Sequence, residues 1–226
     1  QFVGDANQRM TGEPTLLTLA SEGITSRQLE YYDFLLIGIV AMGVMTYAII
    51  GLASNISVYR EQKILKRILA TPLPVRTFFT AQILAYLLLS LAQAAIILAA
   101  GILLFGGHVY GSYLYLGLLV IAGNIIFLNL GFIVGAYSKT VSAASGLGNA
   151  VAMPMMFLSG TFFPTDTLPS VVAGIVRFLP LTPMLHAMRG VALDARPIWD
   201  FPQELAILGA WIVISGFVAT RVFRFG

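Results

Sequence analysis

Few side chains in this sequence are placed to do chemistry. The two histidines, His108 and His186, are far apart and lack a metal-ligand neighbourhood, so each reads as an interfacial side chain rather than a ligand. No cysteine is present, which removes a thiol nucleophile, a thiolate metal site and a disulfide framework. The pattern Gly-x-x-x-x-Gly-Lys-Ser/Thr does not occur, so ATP binding through a P-loop is not expected. No nucleophile–base–acid constellation stands out. An intramembrane enzyme or a proton-coupled carrier needs ionisable groups within apolar segments, and here those segments have none. Two patterns are left. Arg60, Lys63, Lys66 and Arg67 alternate with Ile64, Leu65, Ile68 and Leu69 at helical spacing. Further on, Ser142, Ser145, Asn149, Met153, Met156 and Gly160 share one helical face.

The elements that carry these patterns must lie in lipid. Arg76 to Lys139 encloses no charged residue, and two further charge-free runs, Phe34 to Tyr59 and Thr140 to Thr165, flank it. The chain is 58% hydrophobic and 10% charged, with mean hydropathy +0.87; a soluble domain carries roughly 25% charge. A helix needs about 20 apolar residues to cross the hydrocarbon. Five spans are therefore expected, at about 34–57, 78–105, 113–137, 141–163 and 205–223. The fold class is an all-α polytopic membrane protein, with an external segment 1–32 ahead of one transmembrane domain, 33–226.

Basic residues orient the bundle. With the loop after the first span inside, the inside holds eight basic residues (Arg60, Lys63, Lys66, Arg67, Arg76, Lys139, Arg221, Arg224) and one acid, Glu61. The outside holds five basic residues and nine acids. The positive-inside rule selects this arrangement, and the net charge of +3 then gives nucleic-acid binding no support. An external start followed directly by a span is awkward to insert. A sixth span ahead of Gln1 would remedy it.

Two loops exceed plain connection. The segment around 60–70 is expected to form an amphipathic helix stopped by Pro72 and Pro74; it suits either anionic lipid or a groove on a cytoplasmic partner. Outside, 170–179 and 183–193 read as two helices too short to span, with Thr182-Pro183 as an N-cap and first helical position. Half-depth or interfacial placement fits both. A structural role is expected for Arg177 and Arg189.

The stretch Phe157-Leu-Ser-Gly-Thr-Phe-Phe-Pro164, with Leu168-Pro169, Leu179-Pro-Leu-Thr-Pro183 and Met188-Arg-Gly190, resembles the signature of type-2 ABC exporter permeases, which share the fold of the G-subfamily transporters. Tyr59-Arg-Glu-Gln-Lys-Ile-Leu-Lys-Arg-Ile-Leu-Ala-Thr-Pro72 is similar to that family's first cytoplasmic loop, with Lys63-Ile64 where the family has Gly-Thr and Lys66 where it has an acid. The resemblance implies six spans per subunit, a second permease copy and a separate nucleotide-binding subunit that holds ATP and magnesium, this chain binding no cofactor itself. It also implies a multi-pass place in a cytoplasmic, prokaryotic membrane, and export by alternating access.

On that reading Arg60, Glu61, Lys63, Ile64, Leu65, Lys66, Arg67 and Ile68 couple the permease to the ATPase. Asn149, Met153, Met156 and Phe157, with Met42 and Met45 on the facing span, are candidates for the substrate pathway. Ser159, Gly160, Pro164, Pro169 and Pro183 belong to the external gate. Small residues at helix interfaces explain Ser142, Ser145 and Gly160 by packing alone. A Met- and Phe-bearing cavity favours drug-like or lipid cargo, with polysaccharide or glycolipid as the alternative. A carrier or channel half needing no ATPase, and a scaffold that transports nothing, are the rival functions.

Overall fold

The computed structural model describes residues 31–64, 67, 75–162 and 170–222, and every regular element among them is helical. In chain order these are α1 (Tyr31–Glu61), α2 (Val75–Phe105), α3 (Tyr113–Tyr137), α4 (Val141–Leu158), the short α5 (Ser170–Val176) and α6 (Leu181–Ala192), and α7 (Pro202–Val222). A 3-10 turn, Ile198–Asp200, precedes α7. The helices α1, α2, α3, α4 and α7 are long and apolar enough to cross a bilayer.

Several boundaries move from their expected places for local reasons. The first span runs four residues past 57, so Arg60 and Glu61 extend α1 instead of opening a separate helix. The break comes at Lys63, held at φ 55°, a left-handed conformation that costs an L-residue about 1–2 kcal/mol. It is the position at which the family pattern has glycine. Helical backbone resumes at Ile64 and again at Arg67. Leu65, Lys66 and Ile68 lie outside the described residues, as do Pro164, Pro169 and most of the segment 1–32. At its far end α4 stops at Leu158, five residues short of the expected bound, because Gly160 turns the chain at φ 83°. Pro183 falls in the first turn of α6, which starts at Leu181, so Thr182 is a helical residue and not the cap. Pro202 opens α7 at the first helical position, where a missing N–H costs nothing.

The interior is built on α1 and α3. Met45, Ile49, Leu52, Phe127 and Ile126 are fully buried there, and Leu181, Met184 and Leu185 of α6 join the same core. Outward faces of α2 and α7 stay apolar, with Leu88, Leu103, Ile214 and Phe217 exposed, because acyl chains solvate them as well as another helix would.

Within α1, Tyr47–Gly51 forms a π-helical turn. Such a turn loosens the backbone ladder, and neighbours meet the freed groups. Tyr86 of α2 donates its hydroxyl to the Gly51 carbonyl at 3.1 Å. From the other side α3 comes in at Gly131, where a Cβ would lie 2.6 Å from the Ala48 carbonyl oxygen and 3.0 Å from that of Ile49. Gly131→Val should therefore lower the stability of the bundle by about 2 kcal/mol, the usual cost of forcing atoms into a filled core. The thermal unfolding midpoint of the purified chain checks this.

Candidate functional site

The helix α4 bears most of the candidate pathway residues, and three contacts fix it. At the basic end of the bundle, α3 and α4 are joined by the short turn Ser138-Lys139-Thr140. Thr140 caps α4 by accepting from the Ala143 amide at 3.2 Å. The last two ionisable residues of α1 seize this turn. Arg60 donates through Nη1 to the carbonyls of Ala136 (2.8 Å) and Ser138 (3.3 Å), where α3 ends and its carbonyls lack helical partners. Glu61 accepts through Oε1 from the Val141 amide at 3.0 Å, the first residue of α4. A cation thus sits at one helix C-terminus and an anion at the next N-terminus, the favourable sign at both dipole ends.

Just past the first turn of α4, the Ser54 and Ser145 hydroxyls lie 3.2 Å apart and bridge α1 to α4. Gly148 backs onto Ile50 of the π-turn, which lets the two helices approach closely. Six residues after Gly148, Pro154 interrupts the helix, removing a ladder bond and favouring a bend there.

At the opposite end Arg189 of α6 closes the structure. Its Nη1 donates to the Gly160 carbonyl at 2.7 Å, and its Nη2 to those of Thr161 (3.0 Å) and Phe34 (3.4 Å). The guanidinium also lies 3.4 Å from the centroid of the Phe34 ring. One side chain therefore ties the end of α4, the start of α1 and α6. Burial lowers the Arg189 guanidinium to about 10, which leaves it charged at neutral pH. Beside it His186 Nδ1 is 2.9 Å from a Glu204 carboxylate oxygen, and Arg177 donates to Gln203.

The predicted site residues divide under this geometry. Asn149, Met153 and Phe157 lie on the outward face of α4; Met153 is 54% and Phe157 60% exposed. Ser142 shares that face, whereas Ser145 turns to α1 and Met156 packs against the core. Met42 is half-buried. Met45 is at 0% exposure, in the core between α1 and α3. Arg60 and Glu61, expected to couple to an ATPase, have their side chains on the α3–α4 turn of the same chain. Lys63 and Arg67 are exposed and Ile64 is half-buried. Of the external motif, Ser159 and Gly160 are buried at the end of α4 and Pro183 in α6.

Some polar side chains within the spans tie helices together, while Ser90 and Asn124 are buried with no hydrogen-bond partner among the described residues. Asn129 donates to Ser215 of α7 at 3.1 Å, and the Tyr59 hydroxyl to Gln82 of α2 at 3.3 Å. This is not the polar lining that a pore of this chain alone would need. Among the described residues no group of three His, Asp or Glu side chains could hold a metal ion. Sequence reasoning missed the partner of Arg60 and Glu61; the available signal was an adjacent cation and anion where one span ends, opposite a two-helix turn of only three residues.

A family model described as ABC-2 type transporter matches residues 11–193. The chain is similar to Nodulation protein J of Rhizobium leguminosarum bv. trifolii, with 33% identity over 50% of this chain and 43% of that protein. It is 24% identical to ABC transporter G family member 20 of Dictyostelium discoideum over 84% of this chain and 26% of the relative. Identity to the inner membrane transport permease YadH of Escherichia coli (strain K12) is 22%, over 71% of this chain and 62% of that protein. The chain thus spans less than two thirds of each of these relatives.

Proposed function

The chain belongs to the ABC-2 type transporter family and is a multi-pass membrane component of such a transporter; we propose that it works as the permease of an ATP-driven exporter, paired with a second permease copy and driven by a nucleotide-binding subunit at its basic end. The observation that carries this reading is the double engagement of α4. One face is bonded to the α1 terminus through Glu61 and Ser54. The other, bearing Asn149, Met153 and Phe157, has no cover among the described residues.

In the proposed cycle the open α4 faces of two copies enclose the cargo path. Closure of the ATPase pushes the segment after Lys63, and the Arg60–Glu61 contact carries that displacement into the α3–α4 turn. The α4 helix then tilts about the Pro154 bend, while the Arg189 tie holds its outer end. An apolar, thioether-bearing face suits amphipathic or lipophilic cargo, because methionine adapts to irregular apolar shapes. The side exposing Lys63 and Arg67 is cytoplasmic by the excess of basic residues.

The test is purification of the tagged chain with whatever ATPase it binds. Changing Ile64 and Leu65 together to Asp should release that subunit and abolish cargo-stimulated hydrolysis, while the unfolding midpoint holds. Transport that survives the double change would remove the docking assignment. Hydrolysis stimulated by a polysaccharide and not by lipophilic compounds would replace the cargo class.

A further inference from the structure

Between the halves of α2 and α3 that lie away from the basic end is a cavity of about 260 Å³, with the buried Ile37 and Val40 of α1 and Met188 of α6 at its back. Of the side chains on its wall, only Tyr113 carries a hydroxyl and none is charged. Ala94 and Ala95 of α2 line it with Gly117 of α3. Residues this small ordinarily let two membrane helices close on each other. Here they do not: a Cβ placed on Gly117 would meet no atom within 4 Å among the described residues. The two helices are anchored elsewhere. The Tyr32 hydroxyl of α1 donates to the Gly101 carbonyl of α2 at 3.3 Å. Ahead of α3, the Tyr110 amide donates to the Ala192 carbonyl at the end of α6 at 2.7 Å. Closing the gap would pull against both ties, and leaving it empty forfeits the dispersion contacts of its lining.

We propose that this cavity holds one acyl chain of a phospholipid from the leaflet opposite the basic end, extended parallel to the helices. Its lining runs from Leu91 to Leu98 on α2 and from Tyr113 to Val120 on α3, about 10 Å along each at about 1.5 Å per residue. Its mouth opens to the lipid-facing surface, for Ala95 and Tyr113 are exposed on the wall, and Ile96, Leu114 and Leu118 are exposed next to it. The apolar lining excludes water and a headgroup; an apolar cavity of even about 150 Å³ stays dry and accepts an apolar guest. A helix, about 10 Å across with its side chains, can cover such a slot but not enter it. Tyr113 stands at the start of α3, where its hydroxyl can meet headgroups while its ring edges the chain. The site uses no residue of the α4 face and needs no ATPase.

The experiment places the full chain in nanodiscs of a phosphatidylcholine that carries a photoactivatable diazirine midway along one acyl chain, and maps the labelled positions by mass spectrometry. The expected result is labelling of 91–98 and 113–120 well above that of α7, whose exposed Val213, Ile214 and Phe217 serve as ordinary lipid contacts. Ala95→Leu narrows the mouth at an exposed position, and Gly117→Leu fills the interior. Each should lower labelling of the slot about tenfold, the factor for losing the burial of about two methylenes, and leave α7 unchanged. Gly117→Leu should also raise the unfolding midpoint in lipid-free detergent. The rise should exceed that of Gly209→Leu, which replaces an exposed helical glycine of α7 that likewise has open space around it. Uniform labelling over α2, α3 and α7, or undiminished slot labelling in either folded variant, would overturn the proposal. Labelling displaced by lipophilic compounds that stimulate ATP hydrolysis would assign the cavity to cargo instead.

Discussion

Arg189→Gln is expected to lower the stability of the bundle by about 3 kcal/mol, in the range found when one partner of a buried charged network is removed. The guanidinium reaches three carbonyls on two separate segments and lies on the Phe34 ring. Glutamine can donate to two of those acceptors at most and presents no cation to the ring. The Gly160 and Thr161 carbonyls, at the end of α4, would then lack a donor in a region with little water. For a chain of this size the midpoint should fall by roughly 10 °C. Arg189→Lys should recover only part of this, since an ammonium is a point charge that cannot span acceptors as the planar fork does. A midpoint within about 2 °C of the parent for the glutamine variant would mean that the contacts to Gly160 and Thr161 are incidental.

The second large effect is one of coupling. Arg60→Ala and Glu61→Ala remove the only side-chain bonds among the described residues that join the end of α1 to the α3–α4 turn. Each interaction is partly exposed, so the stability loss should be about 1 kcal/mol or less. Transport per ATP hydrolysed should suffer far more. If displacement at the basic end reaches α4 through this contact, losing it removes a coupling term of the usual 1–3 kcal/mol, or roughly 5- to 150-fold. Glu61→Gln keeps an acceptor for the Val141 amide and should retain most of the coupling, whereas Glu61→Ala should not. The checking measurement is the ratio of transported cargo to phosphate released, in vesicles, for the three variants against the parent. An unchanged ratio for Arg60→Ala would show that the motion enters α4 elsewhere, with the Ser54–Ser145 bridge the next place to look.

Residues of one type illustrate how far the sequence could be read. Five spans follow from composition because the cost of placing charge in hydrocarbon is local and additive. The ends of α2, α3 and α7 could accordingly be placed within about three residues. The α4 terminus was missed because its limit is a backbone event, the left-handed Gly160, inside a run whose hydropathy continues. Met42 and Met45 were named together on the span facing α4, and the structure leaves Met42 half-buried and Met45 fully buried. The π-turn at Tyr47–Gly51 adds a residue to one turn of α1. Faces on either side of it therefore do not continue in one 3.6-residue register, and no count along the sequence shows which face meets α3. The set spaced along α4 split in the same way, with Ser145 bonded inward and Met153 left outward.

The amino-acid sequence alone determined that the chain lives in lipid, which end carries the positive charge, and that the stretches 170–179 and 183–193 are too short to cross the membrane. These follow from the transfer of individual side chains between water and hydrocarbon, which needs no partner. Tertiary structure alone decided that Arg60 and Glu61 hold the α3–α4 turn and that Arg189 fastens α4 to α1 and α6. Each depends on which groups are brought together from positions 28 to 155 residues apart. That is a property of helix rotation and approach, and a hydropathy pattern carries no record of it.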